Sequence, residues 1–373
     1  MKFTIEDKAM KKRRIKKNDQ KRLVYISLFF FVLALFIVII YLISTRRTTS
    51  TTPVSTKKVE QTEQKAINIV NEKSNERPIA VMIDNNIGDA KHAGLQDSFV
   101  NYEIIVEGGE TRLMALFKGQ DVEHIGPVRS SRHYFLDYAL ENDAIYTHFG
   151  WSPQAESDIK SLSVNNINGI TESSESFWRA KGKSSPHNVV TSLNKLLEIA
   201  ERKGYRTTSE KDSVLNYTVE EVILEDGIDA TNIAIPHSTS QKVEYKYNEE
   251  TKKYTRYARN KLQTEWYEDE EVTTKNIIIT FCDNYTLNDS ENKGRQGLYN
   301  TGEFKGYYIT NGKAIEITCI KTTRTSQTVY KDLNGNEIEV NDGNTFIHIC
   351  PKNANVKIEP GTQQNVEIEN TEY

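Results

Sequence analysis

The stretch RPIAVMIDNN at 77–86 decides the fold. Ile79-Ala80-Val81-Met82-Ile83 is a continuous apolar run, and Asp84-Asn85-Asn86 ends it. A run without polar alternation reads as a strand buried on both faces, with a polar loop at its carboxyl end. Arg112-Leu113-Met114-Ala115-Leu116-Phe117 and Ala144-Ile145-Tyr146-Thr147-His148-Phe149 repeat the pattern. Helical spacing separates these runs. Ser130 or Ser131 is placed to cap a helix reaching about Leu140, with Phe135, Leu136, Ala139 and Leu140 on one face. Val189, Leu193, Leu196, Leu197 and Ala200 recur at helical intervals, and Gly204 stands where a C-cap belongs.

After about residue 228 the period changes. Segments 232–235, 243–247, 253–259, 277–282, 306–310, 314–320 and 345–349 read as strands. Asn311-Gly312 lies between two of them, a strong two-residue hairpin signal. The expected fold class is α+β. An N-terminal α/β domain with a covered, mixed sheet spans 77–215, and a mainly antiparallel β domain spans 228–358. The polar link at Thr207–Asp212 is expected to be the most cleavable internal site.

Leu23 to Ile43 reads LVYISLFFFVLALFIVIIYLI and carries no charge. As a helix of about 32 Å it is long enough for a bilayer core. Ten of the 48 basic and three of the 52 acidic residues precede residue 45. The rest of the chain is left with 38 against 49, a net charge of −11. The basic flank at 1–22 places that tail in the cytoplasm and the remainder outside, with 23–43 as an uncleaved single-pass anchor in membrane lipid. An acidic exterior is a poor match for phosphate backbones, so no nucleic acid is expected as partner. Residues 44–76, rich in Ser and Thr, read as a disordered stalk, and 359–373 as a flexible tail. Cys282, Cys319 and Cys350 form no disulfide framework and show no CxxC spacing. HExxH is absent as well, so no metal site is legible and no cofactor is named.

Longer stretches carry a resemblance. GLQDSFVNYEIIVEGGETRLMALF (94–117), IGPVRSSRHYFLDYALENDAIYTHFGWSPQA (125–155) and SPHNVVTSLNKL (185–196) join the opening stretch. KNIIITF (275–281), GRQG (294–297), GYYITNGKAIEIT (306–318) and KDLNGNEIEVNDGNTFIHI (331–349) continue it. Over about 77–355 the chain resembles the YerB-like lipoprotein family. The resemblance implies an extracytoplasmic, membrane-tethered protein of Gram-positive type with two family domains, and no established activity. Two departures stand out: a transmembrane helix in place of a lipidated Cys, and Cys319 where the family tends to carry Trp.

Candidate ligand-binding residues follow from position. Asp84 and Asn85 end the first strand, and Glu107, Gly108, Gly109, Glu110 and Arg112 surround entry to the second. Arg129, Ser131 and Arg132 lead toward a helix. In open α/β sheets ligands bind beyond the carboxyl ends of strands, and paired Arg side chains hold phosphate or carboxylate. A network of structural Arg–Glu pairs is the competing reading of these residues. His148 and His187, with Trp151 and Trp178, form a second set suited to acid–base work or sugar stacking. No catalytic residue is assigned. Two functional classes stay open. One is a cell-envelope binding or accessory module for a wall polymer, its precursor or an envelope protein. The other is an envelope enzyme acting on an anionic, phosphate-linked wall precursor, with Asp84 or Glu107 as base or metal ligand.

Overall fold

The apolar runs form the middle of one large sheet. Strands β1 (Ile79–Asp84), β2 (Val100–Ile105), β3 (Thr111–Phe117), β4 (Ile145–His148) and β5 (Asn166–Asn168) come from the first half. The second half adds β6 (Ile228–Asp229) to the same sheet. Strands β7 (Asn232–Pro236), β8 (Lys242–Asn248) and β9 (Lys253–Ala258) belong to a second sheet. β10 (Asn276–Cys282), β11 (Gly302–Thr310), β12 (Lys313–Lys321), β13 (Val329–Lys331) and β14 (Thr345–Pro351) return to the first, and β15 (Lys357–Glu359) to the second. This computed structural model describes residues 67–69, 75–86, 88 and 91–361.

The large sheet has eleven strands in the order β6-β12-β11-β10-β14-β2-β3-β1-β4-β5, with β13 beside β12. β1 lies between antiparallel β3 and parallel β4. The halves meet where β14 runs parallel to β2, with Ile347 opposite Tyr102. Every residue of β2 and β14 is buried, so this junction is core. The second half is mostly antiparallel, but β10 and β14 pair in parallel.

Both faces of the sheet are covered, as unalternated strands require. One face packs Tyr102, Ile104, Met114 and Ile347 against helix α1 (Phe135–Glu141) and α2 (Pro153–Ser161). The other packs Val81, Leu113, Ile277 and Phe346 against α3 (Leu193–Arg202) and the second sheet, ordered Lys261–Leu262, β9, β8, β7, β15. The second sheet alternates buried and outward residues, the pattern of one covered face. Asn311 and Gly312 have positive φ of 50° and 75° and close the β11–β12 hairpin as their sequence signals.

Several expectations are corrected. The halves are not separate domains with a sheet each, because β14 completes the sheet that β1–β5 begin. The link at 207–212 is largely exposed but is tied to the first half. Thr207 O accepts from Arg77 N at 2.6 Å, Ser209 N donates to Asn75 O, and Glu210 N donates to Asp143. Order starts before residue 77: Ile67 is buried in the core and Ile69 N donates to Asp342. Ser130 and Ser131 cap nothing. Tyr134 is the N-cap of α1, which carries no side-chain cap bond. Val189 belongs to a short strand rather than to α3, which starts at Leu193 behind the Ser192 cap. The anchor at 23–43, the tail at 1–22, most of the stalk and the residues beyond 361 lie outside the described residues. Among the described residues no helix is long and apolar enough to cross a membrane. All three cysteines are free and buried.

Candidate functional site

The carboxyl ends of β1, β2 and β4 and the start of β3 share one edge of the large sheet. Register places Asp84 directly opposite Arg112. Segment 125–132 is laid across this edge. Arg129 N donates to Met82 O and Arg129 O accepts from Phe149 N, each at 2.9 Å, which pins the residue between the ends of β1 and β4. The Asp84 carboxylate is buried. Its Oδ2 lies 3.1 Å from Nε of Arg129 and 2.6 Å from Nδ1 of His187. The two partners stay partly open, with side-chain exposures of 24% and 31%.

A second group adjoins it. Glu107 forms a two-pronged pair with Arg132, Nε reaching Oε2 at 2.8 Å and Nη2 reaching Oε1, and Arg112 Nη2 lies 3.6 Å away. Burial pushes the Glu107 carboxyl up, but the Arg132 hydrogen bond and charge, with the Arg112 charge, hold it at about 2. Arg112 is pressed down to about 10, chiefly by burial and then by the charge of Arg132. Asp84 and Arg129 also act on it electrostatically, so all five charges share one neighbourhood. Three guanidinium groups against two carboxylates leave that neighbourhood with a net positive charge. Glu110 pairs with Arg259 at its rim.

A third group is fully buried between the two sheets. Glu103 on β2 receives Asn85 at 3.0 Å and Thr111 at 2.8 Å on Oε1, and Arg256 at 2.5 Å on Oε2. Nδ1 of His348 lies 3.5 Å from Oε2, and Nε2 of His237 lies 3.1 Å from that Nδ1. Tyr245 Oη meets Nε2 of His348 at 2.9 Å. Burial pushes Glu103 up, yet the positive charge of Arg256 holds it at about 2. The same burial drives both histidines toward the neutral form. Among the described residues this is the group of His, Cys, Asp and Glu side chains whose atoms stand close enough to hold a metal ion.

Two family models match the chain. One described as "Protein of unknown function (DUF3048) N-terminal domain" covers residues 66–206, and its C-terminal counterpart covers 233–347. The chain belongs to the DUF3048 family. It is similar to the protein described as "Putative lipoprotein YerB" of Bacillus subtilis (strain 168), with 29% identity over 302 residues, 78% of this chain and 84% of that one. It is also similar to the crystal structure of YerB from Bacillus subtilis. That match has a TM-score of 0.66 and 29% identity, and covers 76% of this chain and 94% of the other.

In this DUF3048 chain the expected residues divide. Asp84, Glu107, Arg112, Arg129 and Arg132 come together, and His187 joins them through Asp84. Asn85 points inward to Glu103 and Thr111 instead. Ser131 is buried and accepts from Tyr146 Oη at 2.8 Å. His148 is a satisfied core residue: Nδ1 donates to Gly150 O at 2.8 Å and Nε2 accepts from Asn166. Burial holds it near 4. Gly109 makes its close approach to Ser238, whose hydroxyl donates to Gly109 O at 2.5 Å. The Glu103 group escaped sequence reading, although a signal existed. Glu103, His348 and Arg256 each occupy an inward position of an otherwise apolar or alternating strand, and a buried charge needs a partner.

Proposed function

We propose that this chain is a membrane-anchored, extracytoplasmic binding or accessory module of the cell envelope. It holds an anionic group of a wall polymer, precursor or envelope protein at the Asp84–Arg129–His187 edge. The anchor is the apolar run at 23–43, with the N-terminus cytoplasmic. The lipoprotein name of the B. subtilis relative supports a tethered, external location. One observation carries the ligand reading. The Arg129 backbone is fixed at both its N–H and C=O, while its partly open guanidinium touches protein through Asp84 with Nε making no hydrogen bond. A rigidly placed cation, beside two more guanidinium groups, is what recognition of phosphate or carboxylate requires.

A second reading, an enzyme acting on a phosphate-linked wall precursor, draws on the 2.6 Å contact between Asp84 and His187. A carboxylate on Nδ1 fixes the tautomer and leaves Nε2 as base. One experiment serves both. The soluble chain from Lys65 onward is incubated with wall extract, and bound and altered species are identified by mass spectrometry, for wild type and Arg129→Ala. Asp84 keeps His187 and Asn86 N as partners, so the variant should still fold while losing the captured species. Capture unchanged in a folded variant refutes the site. An altered rather than merely bound species, lost in His187→Ala, decides for the enzyme.

A further inference from the structure

We infer that Glu103, His237 and His348 form a binding site for one divalent transition-metal ion of the zinc type. The three side chains are fully buried, and their ligand atoms lie within 4.8 Å of one another. The separations are 3.1 Å between the two facing imidazole nitrogens, 3.5 Å from His348 Nδ1 to Glu103 Oε2, and 4.0 Å from His237 Nε2 to Glu103 Oε1. Ligands about 2.0–2.1 Å from a tetrahedral ion stand about 3.3 Å apart, so the imidazole–imidazole edge and the His348–Oε2 edge already match to within about 0.2 Å, while His237 reaches the same carboxylate through Oε1. Two imidazoles and a carboxylate with one position left over is the donor set of zinc sites that keep an exchangeable ligand.

The surrounding contacts suit ligation. When Nε2–H of His348 donates to Tyr245 Oη, Nδ1 is unprotonated and faces the ion. Asn85 and Thr111 fix Oε1 of Glu103 and so orient Oε2. His237 Nδ1, Arg256 Nη1 and both amide atoms of Gln241 are buried without a hydrogen-bond partner. Gln241 closes the same turn, its carbonyl accepting from His237 N at 2.9 Å. Interiors leave few such atoms.

Arg256 sets a further condition. With Arg256 and Glu103 already balanced, a divalent ion leaves two uncompensated positive charges in a closed interior, which is costly. The fourth ligand is therefore an anion, hydroxide or an oxyanion, with Arg256 Nη1 as its donor. His237 and Tyr245 also border a groove of about 1140 Å³ at the second sheet.

The competing arrangement is a plain hydrogen bond between the imidazoles. To separate the two, the full-length chain is stripped with chelator and dialysed against Co²⁺ or Zn²⁺, with and without inorganic phosphate. Elemental analysis should find one ion per chain, held more tightly with phosphate, and Co²⁺ should give the intense visible bands of a four-coordinate site. His237→Ala and His348→Ala should lose that equivalent. Tyr245→Phe should weaken uptake about 10–100-fold. No stoichiometric uptake by wild type overturns the site, and so does a full equivalent retained when both histidines are replaced. The wild-type titration decides even if a variant fails to fold.

Discussion

Replacing Arg256 by Met tests the buried junction of the two halves. The guanidinium is fully buried, 2.5 Å from Glu103 Oε2 and 3.2 Å from Tyr245 Oη. Met fills most of the space of the stem but leaves the Glu103 carboxylate without its counter-charge, facing two imidazoles that burial keeps neutral. Breaking such a pair costs about 3–5 kcal/mol. At about 2 °C per kcal/mol for a large domain, the melting temperature should fall by roughly 6–10 °C. Thermal and urea melts in chelator at neutral pH read this without interference from bound ions. The double variant Glu103→Gln with Arg256→Met should recover part of the loss, because replacing both charges of a buried pair is often close to neutral. The reasoning fails if Arg256→Met melts with wild type, or if the double variant is as unstable as the summed single variants.

Two further outcomes follow. His92, His133 and His148 are held at about 3, 4 and 4, burial being the first cause in each. Their folded values lie below the ordinary value of about 6.5, so the unfolded chain binds more protons between these limits, and stability should fall as pH drops from 6.5 toward 4. Glu265, pushed up to about 7 mainly by burial, works in the opposite sense from pH 4.5 to 7. A urea midpoint that stays flat from pH 6.5 to 5, or a slope that His148→Gln leaves unchanged, counts against this assignment. Separately expressed 65–215 and 216–373 should each fail to unfold cooperatively, because the split bares β2 and β14 as apolar edges. Mixing them should restore a native near-ultraviolet signal, and a cooperative melt from either piece alone would show the shared sheet to be dispensable.

Local chemistry made much of this fold legible. Ile79–Ile83 and Leu113–Phe117 read as doubly covered strands because they are, and Asn311-Gly312 forms its turn from two residues tolerant of positive φ. What sequence could not give is partnership between distant strands. Nothing in NTFIHIC says that Thr345–Ile349 will lie beside Val100–Ile104, and a parallel pair has no turn to announce it. Helix α2 carries a local start signal: Ser152 accepts from Ala155 N at 3.2 Å and Pro153 follows at the first helical position. The five charges at the sheet edge were found because strand ends and loops place them. The partition into Asp84–Arg129–His187 and Glu107–Arg112–Arg132 depends on side-chain reach, which spacing does not encode.

The family describes this chain as two regions, and the polar chemistry explains why both must occur together. Glu103, Asn85 and Thr111 come from the first region, while His237, Tyr245 and Arg256 come from the second and His348 directly follows its last matched residue. At the rim, Glu110 pairs with Arg259 and Gly109 with Ser238 across the same divide. A buried carboxylate in the first region is tolerable because the second supplies its cation, and Arg256 is tolerable for the converse reason. Asn85 then ties this interior to the Asp84–Arg129–His187 group, since it follows Asp84 directly and its amide bonds Glu103. The inter-sheet group and the carboxylate that touches Arg129 and His187 are thus joined along two short paths, Asn85 beside Asp84 and Thr111 beside Arg112.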